Sequence, residues 1–121
     1  MGGSAMAKCE EGYLCEICGG DVERLRDSHL YLRYVIGWVD PETLHLQRER
    51  HITCDPPLAQ FIVDAEFSPV MLEGPFDKRQ LDPRSMQERE RLITRGWRRL
   101  VELESLELPI IEYPLPEFRA S

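Results

Sequence analysis

The chain has 121 residues, of which 22 are acidic and 15 are basic, so its formal charge is −7 at pH 7. A field of this sign repels phosphate backbones, which disfavours broad electrostatic binding of nucleic acid while leaving local patches open. No stretch approaches the roughly 20 apolar residues that span a bilayer, and the start lacks the charged-then-apolar pattern of a signal peptide. These features predict a cytoplasmic protein without membrane contact.

The start of the chain has the composition of an added segment. Residues 1–5, "MGGSA", read as an expression leader, with the natural chain beginning at Met6. Residues 6–121 are predicted to form a single domain. A domain of this size can build a core but gains usefully from a structural metal.

A pair of cysteines, Cys15 and Cys18, is followed directly by Gly19 and Gly20, which permit a tight turn because glycine accepts positive φ. Such a pair holds a metal, forms a redox-active disulfide or fills a core. A redox pair needs a βαβ setting, and the surrounding sequence shows none. Since nothing points to secretion, reduced thiols bound to a metal are favoured over disulfides.

The segment "HLYLRYVIGWV", residues 29–39, is rich in aromatic and β-branched residues, and "DPET" separates it from "LHLQRERHIT", residues 44–53. Two such segments on either side of a turn predict a β-hairpin. An alternative stays open, because Ser28 could cap a helix that runs through Val39 and an apolar run this short does not settle its own period.

Four further segments follow the hairpin. Asp55 and Pro56 predict the start of a short helix, with apolar residues at helical spacing up to Ala65. Residues 68–84 are predicted to be a loop, and residues 85–106 an amphipathic helix that opens with a capping box of Ser85 and Glu88. The proline-containing tail, residues 107–121, is predicted to be extended, as an edge strand or as an apolar arm laid over the domain.

Zinc takes four tetrahedral ligands, often as two closely spaced pairs. Cys15 with Cys18 supplies one pair, and His51 with Cys54 repeats the spacing. These four residues are the predicted zinc ligands, with Cys9 in reserve. Cys54 could instead be a small buried apolar residue, and His51 an exposed strand residue. His45 is expected at the surface.

The order of knuckle, hairpin, ligand pair and helix over residues 13–67 resembles the treble-clef zinc fingers. The resemblance rests on "CEICGG", "RHITC" and the helix start, and it implies an α+β fold in which the second ligand pair lies at the start of a helix. The second pair here is His-x2-Cys, where Cys-x2-Cys is commoner. Treble clefs serve many functions, so the resemblance indicates a metal more than a task.

A narrower resemblance, to HNH-type nucleases, rests on "CEICGG" followed by "LRDSHLYL". It implies that His29 acts as the general base beside a divalent metal. Two departures stand against it. The acidic residue before this histidine is displaced by one position, to Asp27, and the following helix offers only Asp64 and Glu66 as further metal ligands.

The favoured interpretation is a cytoplasmic zinc protein that acts as a structural or regulatory protein-interaction module, with the HNH-like nuclease as the alternative. A protein partner is expected, since the chain offers many large apolar side chains and a helix with charges of both signs. If the tail is not folded back, it would also suit self-association through an added strand.

Overall fold

The structure is a computed structural model that describes residues 14–119. Three α-helices are present among these residues, α1 at His29–Val35, α2 at Pro56–Ala59 and α3 at Pro83–Leu103. Single turns of 3-10 helix connect them, at Leu25–Asp27, Leu44–Leu46, Ile52–Cys54, Lys78–Gln80, Ile110–Glu112 and Pro116–Phe118. Extended pairing in the described part is limited to two isolated antiparallel bridges, Leu14 with Asp21 and Ser28 with His51.

The described chain is therefore mostly helical, and the predicted α+β class with a treble-clef hairpin is not confirmed. The predicted first strand is helix α1, so the hairpin prediction was wrong and the alternative of a helix capped by Ser28 was right, although the helix ends at Val35. All of its residues except Arg33 are buried. A helix that is apolar on every side is buried on every side, so its aromatic and β-branched composition reflects burial rather than a strand.

The predicted second strand, residues 44–53, is also not a strand. It begins with the turn Leu44–Leu46 and ends in the turn Ile52–Cys54, with a short extended stretch between them. The turn predicted at "DPET" is present, because the Thr43 N–H donates to the Asp40 carbonyl at 3.0 Å. Gly37, at the end of α1, has φ at 83°, a conformation that favours glycine.

Helix α2 is shorter than its sequence pattern predicts. It begins after Asp55, as expected, but continues only from Pro56 to Ala59. The side chain of Asp55 makes no capping hydrogen bond, since it is held by His29 instead. Beyond the helix, Phe61 and Ile62 are buried in single turns but Ala65 is exposed. The apolar spacing therefore marked core residues as far as Ile62 without marking a long helix.

Helix α3 begins at Pro83, two residues before the predicted start, and Asp82 is its cap. Asp82 accepts hydrogen bonds from the backbone N–H and the hydroxyl of Ser85, both at 2.9 Å. The predicted capping box of Ser85 and Glu88 was therefore wrong, because an Asp-Pro pair upstream supplies a better start.

Helix α3 packs closely on α1. At Gly96 an added Cβ would lie 2.4 Å from Ile36 Cγ2 and 3.0 Å from Leu32 Cδ1. One residue further along, Trp97 is buried and its indole N–H donates to the carbonyl of Arg26 at 3.0 Å. No helix among the described residues is long and apolar enough to cross a membrane.

The tail folds back over α1 as an arm, one of its two predicted forms. The Leu115 N–H donates to the Val35 carbonyl at 3.0 Å, and the Tyr34 hydroxyl donates to the Ile110 carbonyl at 3.0 Å. Tyr113 and Leu115 are buried. With this part of the tail in the core, it is not the free strand that self-association through the tail requires.

Candidate metal centre

The first pair of candidate ligands lies on a tight knuckle. The Cys15 N–H donates to the Gly20 carbonyl at 2.8 Å and the Gly19 N–H donates to the Cys15 carbonyl at 2.9 Å, with Gly19 at φ 79°. The turn points the N–H groups of Ile17 and Cys18 at the Cys15 sulfur, at 3.3 and 3.4 Å. Backbone donors arranged in this way stabilise a thiolate.

The second pair is delivered by residues 49–51, which lie between the knuckle and the start of α1. On one side the Glu16 N–H donates to the Glu49 carbonyl at 2.9 Å, and on the other the His29 N–H donates to the Arg50 carbonyl at 2.9 Å. The turn Ile52–Cys54 then brings Cys54 back toward His51, whose carbonyl accepts the Cys54 N–H at 3.0 Å.

The structure brings the four predicted ligands together. One ligand atom from each of Cys15, Cys18, His51 and Cys54 lies within 4.8 Å of all the others. His51 Nδ1 lies 3.3 Å from the Cys18 sulfur and 3.8 Å from the Cys54 sulfur. Three sulfurs and one imidazole nitrogen form a donor set that could hold a metal ion.

The imidazole of His51 is oriented for this use. Its Nε2 lies 2.8 Å from the Asp21 carbonyl oxygen. A carbonyl can only accept, so Nε2 carries a proton, and in the neutral ring the lone pair of Nδ1 then faces the sulfurs. Histidine ligands in metal sites are commonly fixed through their second ring nitrogen in this way.

Without a cation, the thiols of the cluster differ in how readily they ionise. Burial raises the pKa of the Cys15 thiol, but the N–H groups of Cys18, His51 and Ile17 outweigh burial and lower this pKa to about 6. Burial and the neighbouring sulfurs of Cys15 and Cys18 raise the pKa of Cys54 to about 11. Sulfurs this close cannot all ionise cheaply, and a bound divalent cation removes that penalty.

Glu49, which the sequence analysis did not single out, braces the site. Its side chain is 4% exposed, and it accepts hydrogen bonds from the Ser28 hydroxyl at 2.7 Å and the Leu30 N–H at 3.1 Å. It thereby caps α1 together with Ser28. In the sequence it lies between Arg48 and Arg50, a charge run that is typical of a solvated surface, so no sequence signal marked it as buried.

His29, the candidate general base, lies in a charged cluster beside the site. It is 6% exposed, its Nε2 is 2.6 Å from Asp55 Oδ2, and its Nδ1 accepts from Arg33 Nε at 3.0 Å. Burial and the charge of Arg33 lower its pKa. Both ring nitrogens are therefore occupied within the fold, which leaves neither free to take a proton from water.

The remaining candidate residues are held elsewhere. Asp27 pairs with Arg24 at 3.0 Å, and Asp64 and Glu66 both lie within 3.5 Å of the Arg98 guanidinium. His45 is exposed, as expected. The predicted leader, residues 1–5, and the reserve ligand Cys9 lie outside the described residues.

Comparisons of the chain with protein-family models, with curated proteins and with solved structures find no match.

Proposed function

We propose that this protein binds one zinc ion through Cys15, Cys18, His51 and Cys54 and serves as a protein-interaction module that this zinc stabilises. The observation that carries the proposal is the convergence of four ligand atoms within 4.8 Å. Around a tetrahedral zinc with Zn–S bonds of about 2.3 Å, sulfurs lie about 3.8 Å apart. The cluster is thus close to the size that zinc requires.

A structural role follows from the number of protein ligands. Catalytic zinc sites keep one position open for water or substrate, whereas structural sites are closed by four protein ligands. Three sulfurs and one imidazole close the tetrahedron here. Thiolate-rich sites of this kind also favour zinc over the oxygen-seeking cations magnesium and calcium.

The zinc would tie the knuckle to the rest of the fold. Leu14 and Ile17, the large apolar side chains next to the knuckle cysteines, are exposed, so they contribute little to its attachment. Residues 51–54, which carry the second ligand pair, lead directly into α2. His51 also forms a β-bridge with Ser28 at the start of α1. A metal at this junction would hold the knuckle, α1 and α2 in one arrangement.

Elemental analysis of the purified protein tests the zinc. We expect about one zinc per chain, lost in Cys18→Ser and Cys54→Ser and retained in Cys9→Ser. Thiol counting before and after chelation gives an independent measure, because coordinated thiolates react slowly. Protein without metal, with all thiols freely reactive, would refute the proposal, and loss of zinc from Cys9→Ser would show that the ligand set is wrong.

The HNH-like alternative receives no comparable support. Its general base, His29, is buried between Asp55 and Arg33, and the two acidic residues expected to help hold its metal are paired with Arg98. The binding role is therefore the proposal that the described residues support best.

A further inference from the structure

A cleft of about 530 Å³ opens between the end of α1 and the folded-back tail. Most of its wall is aromatic, aliphatic or proline side chains, contributed by Tyr34, Trp38, Pro41, Ile111, Pro114 and Phe118. Trp38 is 47% exposed although it is one of the largest apolar side chains, and Ile111 and Phe118 are exposed beside it. Apolar surface gathered in one concave place is typical of a binding site.

The cleft is built by a close contact rather than by loose packing. The ring of Phe118 lies against the backbone of Gly37, where an added Cβ would be only 2.6 Å from Phe118 Cδ1. Gly37 also has φ at 83°, so this position requires glycine both for its conformation and for space. The tail and the turn after α1 are thereby joined at the edge of the cleft.

The polar lining of the cleft is acidic. Asp40 and Glu42 are exposed lining residues, and no lysine or arginine lines the cleft with them. Among the described residues no basic side chain forms an ion pair with either carboxylate. Elsewhere in the described part many carboxylates pair with arginine. In this cleft one Asp40 oxygen accepts the Glu42 N–H at 3.2 Å, and no basic side chain of the described residues neutralises the negative charge.

Aromatic walls together with carboxylates that no basic side chain pairs with favour a ligand of one kind, a guanidinium group. A guanidinium stacks on a tryptophan face and forms paired hydrogen bonds with carboxylates, which an ammonium group cannot do. Aromatic-lined grooves also bind proline-rich extended segments, which lose little conformational freedom on docking.

We propose that this cleft, the Trp38 cleft, binds an extended, proline-flanked arginine in a partner protein. The guanidinium lies between Trp38 and the carboxylates of Asp40 and Glu42, and the prolines lie along the apolar wall. This inference rests on the proposed function, because it supplies the partner chemistry of the interaction module.

The test uses the full zinc-loaded chain and three synthetic heptapeptides, each with three prolines on either side of a central residue. The central residue is arginine, its neutral isostere citrulline, or glutamate. Binding is followed by tryptophan fluorescence, in which Trp38 responds because it is exposed in the cleft and Trp97 adds a constant background because it is buried. We expect saturable binding of the arginine peptide, at least tenfold weaker binding of the citrulline peptide, and no binding of the glutamate peptide.

Variants locate the binding. Asp40→Asn combined with Glu42→Gln should weaken the arginine peptide at least fivefold and leave the citrulline peptide unchanged within twofold. Asp40 Oδ1 accepts the Glu42 N–H, and asparagine keeps this oxygen, so the turn is preserved.

Trp38→Ala should abolish binding of both peptides. Binding to this variant is measured by the anisotropy of a labelled peptide. Phe76→Ala, in a side chain 70% exposed outside this cleft, and Glu107→Gln are matched controls that should change affinity less than twofold.

Equal affinity for arginine and citrulline, no saturable binding, or equal losses in the control variants would overturn the proposal. A concentration-dependent dimer that Trp38→Ala abolishes would also overturn it, since a second copy would then be the occupant. The metal content of each sample separates the two proposals. If the purified protein contains no zinc but binds the arginine peptide, only the zinc proposal is refuted. If it contains zinc but does not bind the peptide, only the proposal for the Trp38 cleft is refuted.

Discussion

At the scale of single residues, side chains of the candidate metal centre contact both the other ligands and the surrounding backbone. His51 uses Nε2 to bond the Asp21 carbonyl and turns Nδ1 to the sulfurs, while Cys15 receives three backbone N–H groups at its sulfur. The ligands are therefore oriented before any ion arrives. This preorganisation gives individual substitutions large and distinguishable effects.

The first prediction compares cysteines. Cys15→Ser or Cys18→Ser should lower the free energy of unfolding by at least about 3 kcal/mol, because metal binding is coupled to folding. Cys9→Ser should change it by less than about 0.5 kcal/mol, because Cys9 is not among the four proposed ligands. Thermal unfolding of the three variants, all purified with the same zinc supply, measures the difference. Equal melting temperatures would show that the knuckle does not contribute to folding.

The second prediction concerns Glu49. Glu49→Ala leaves the Ser28 hydroxyl and the Leu30 N–H without their acceptor, and we expect a loss of about 2–4 kcal/mol from the lost charge-assisted hydrogen bonds and helix cap. The exposed Glu107→Ala is the control. Urea denaturation of both variants checks this, and a similar small change in both would contradict the capping role.

At the scale of elements, the sequence predicted where the elements lie better than whether each of them is a helix or a strand. The knuckle, the spacing of the ligand pairs, the start of α2 and most of α3 could be predicted, because glycine, proline and helical periodicity act locally. Helix α1 was predicted first as a strand, since the buried sides that decide its type are supplied by distant residues such as Gly96 and Leu115. The bracing by Glu49 was hidden for the same reason, because a distant helix start buries it.

The third prediction addresses the contact between α1 and α3. Alanine is normally favoured over glycine inside a helix by about 1 kcal/mol, yet Gly96→Ala should destabilise the protein by about 1–3 kcal/mol, the usual cost of overpacking a core. The added methyl group would meet Ile36 Cγ2 at 2.4 Å. Arg91→Ala, on the exposed side of the same helix, should change stability by less than about 0.5 kcal/mol. Equal stabilisation in both variants would show that the helices can separate at no cost.

At the scale of the whole molecule, an ion pair joins the turn Leu25–Asp27 to the residue that follows α3. Arg26 donates from its guanidinium and its backbone N–H to Glu104, at 2.7 to 3.1 Å, just beyond the end of α3. Burial raises the pKa of Glu104, but the hydrogen bonds and charge of Arg26 outweigh it, so the net pKa is lowered. The folded state therefore binds the ionised carboxylate more tightly than the unfolded state does.

The fourth prediction follows from that sign. A carboxyl group whose pKa is lower in the folded state than in the unfolded state stabilises the fold at pH values above its unfolded pKa of about 4.3. This stabilisation is lost as the pH falls through the folded pKa. Glu104→Gln should therefore be less stable than wild type by about 0.5–1 kcal/mol at pH 7, because solvent screens an ion pair at an exposed residue. The two proteins should converge in acid. Denaturation curves from pH 7 to pH 3 check this, and a gap that stays constant with pH would contradict it.

The order of the ligands along the chain has a consequence during synthesis. All four ligands, the last of them Cys54, leave the ribosome before α3 begins at Pro83. The proposed zinc site can therefore be filled in a nascent chain while the face of α1 that later receives Gly96 is still uncovered. A message truncated within α3 would accordingly yield a product that still takes up metal but exposes that apolar face, and such a product is expected to aggregate and to withhold zinc from the cell.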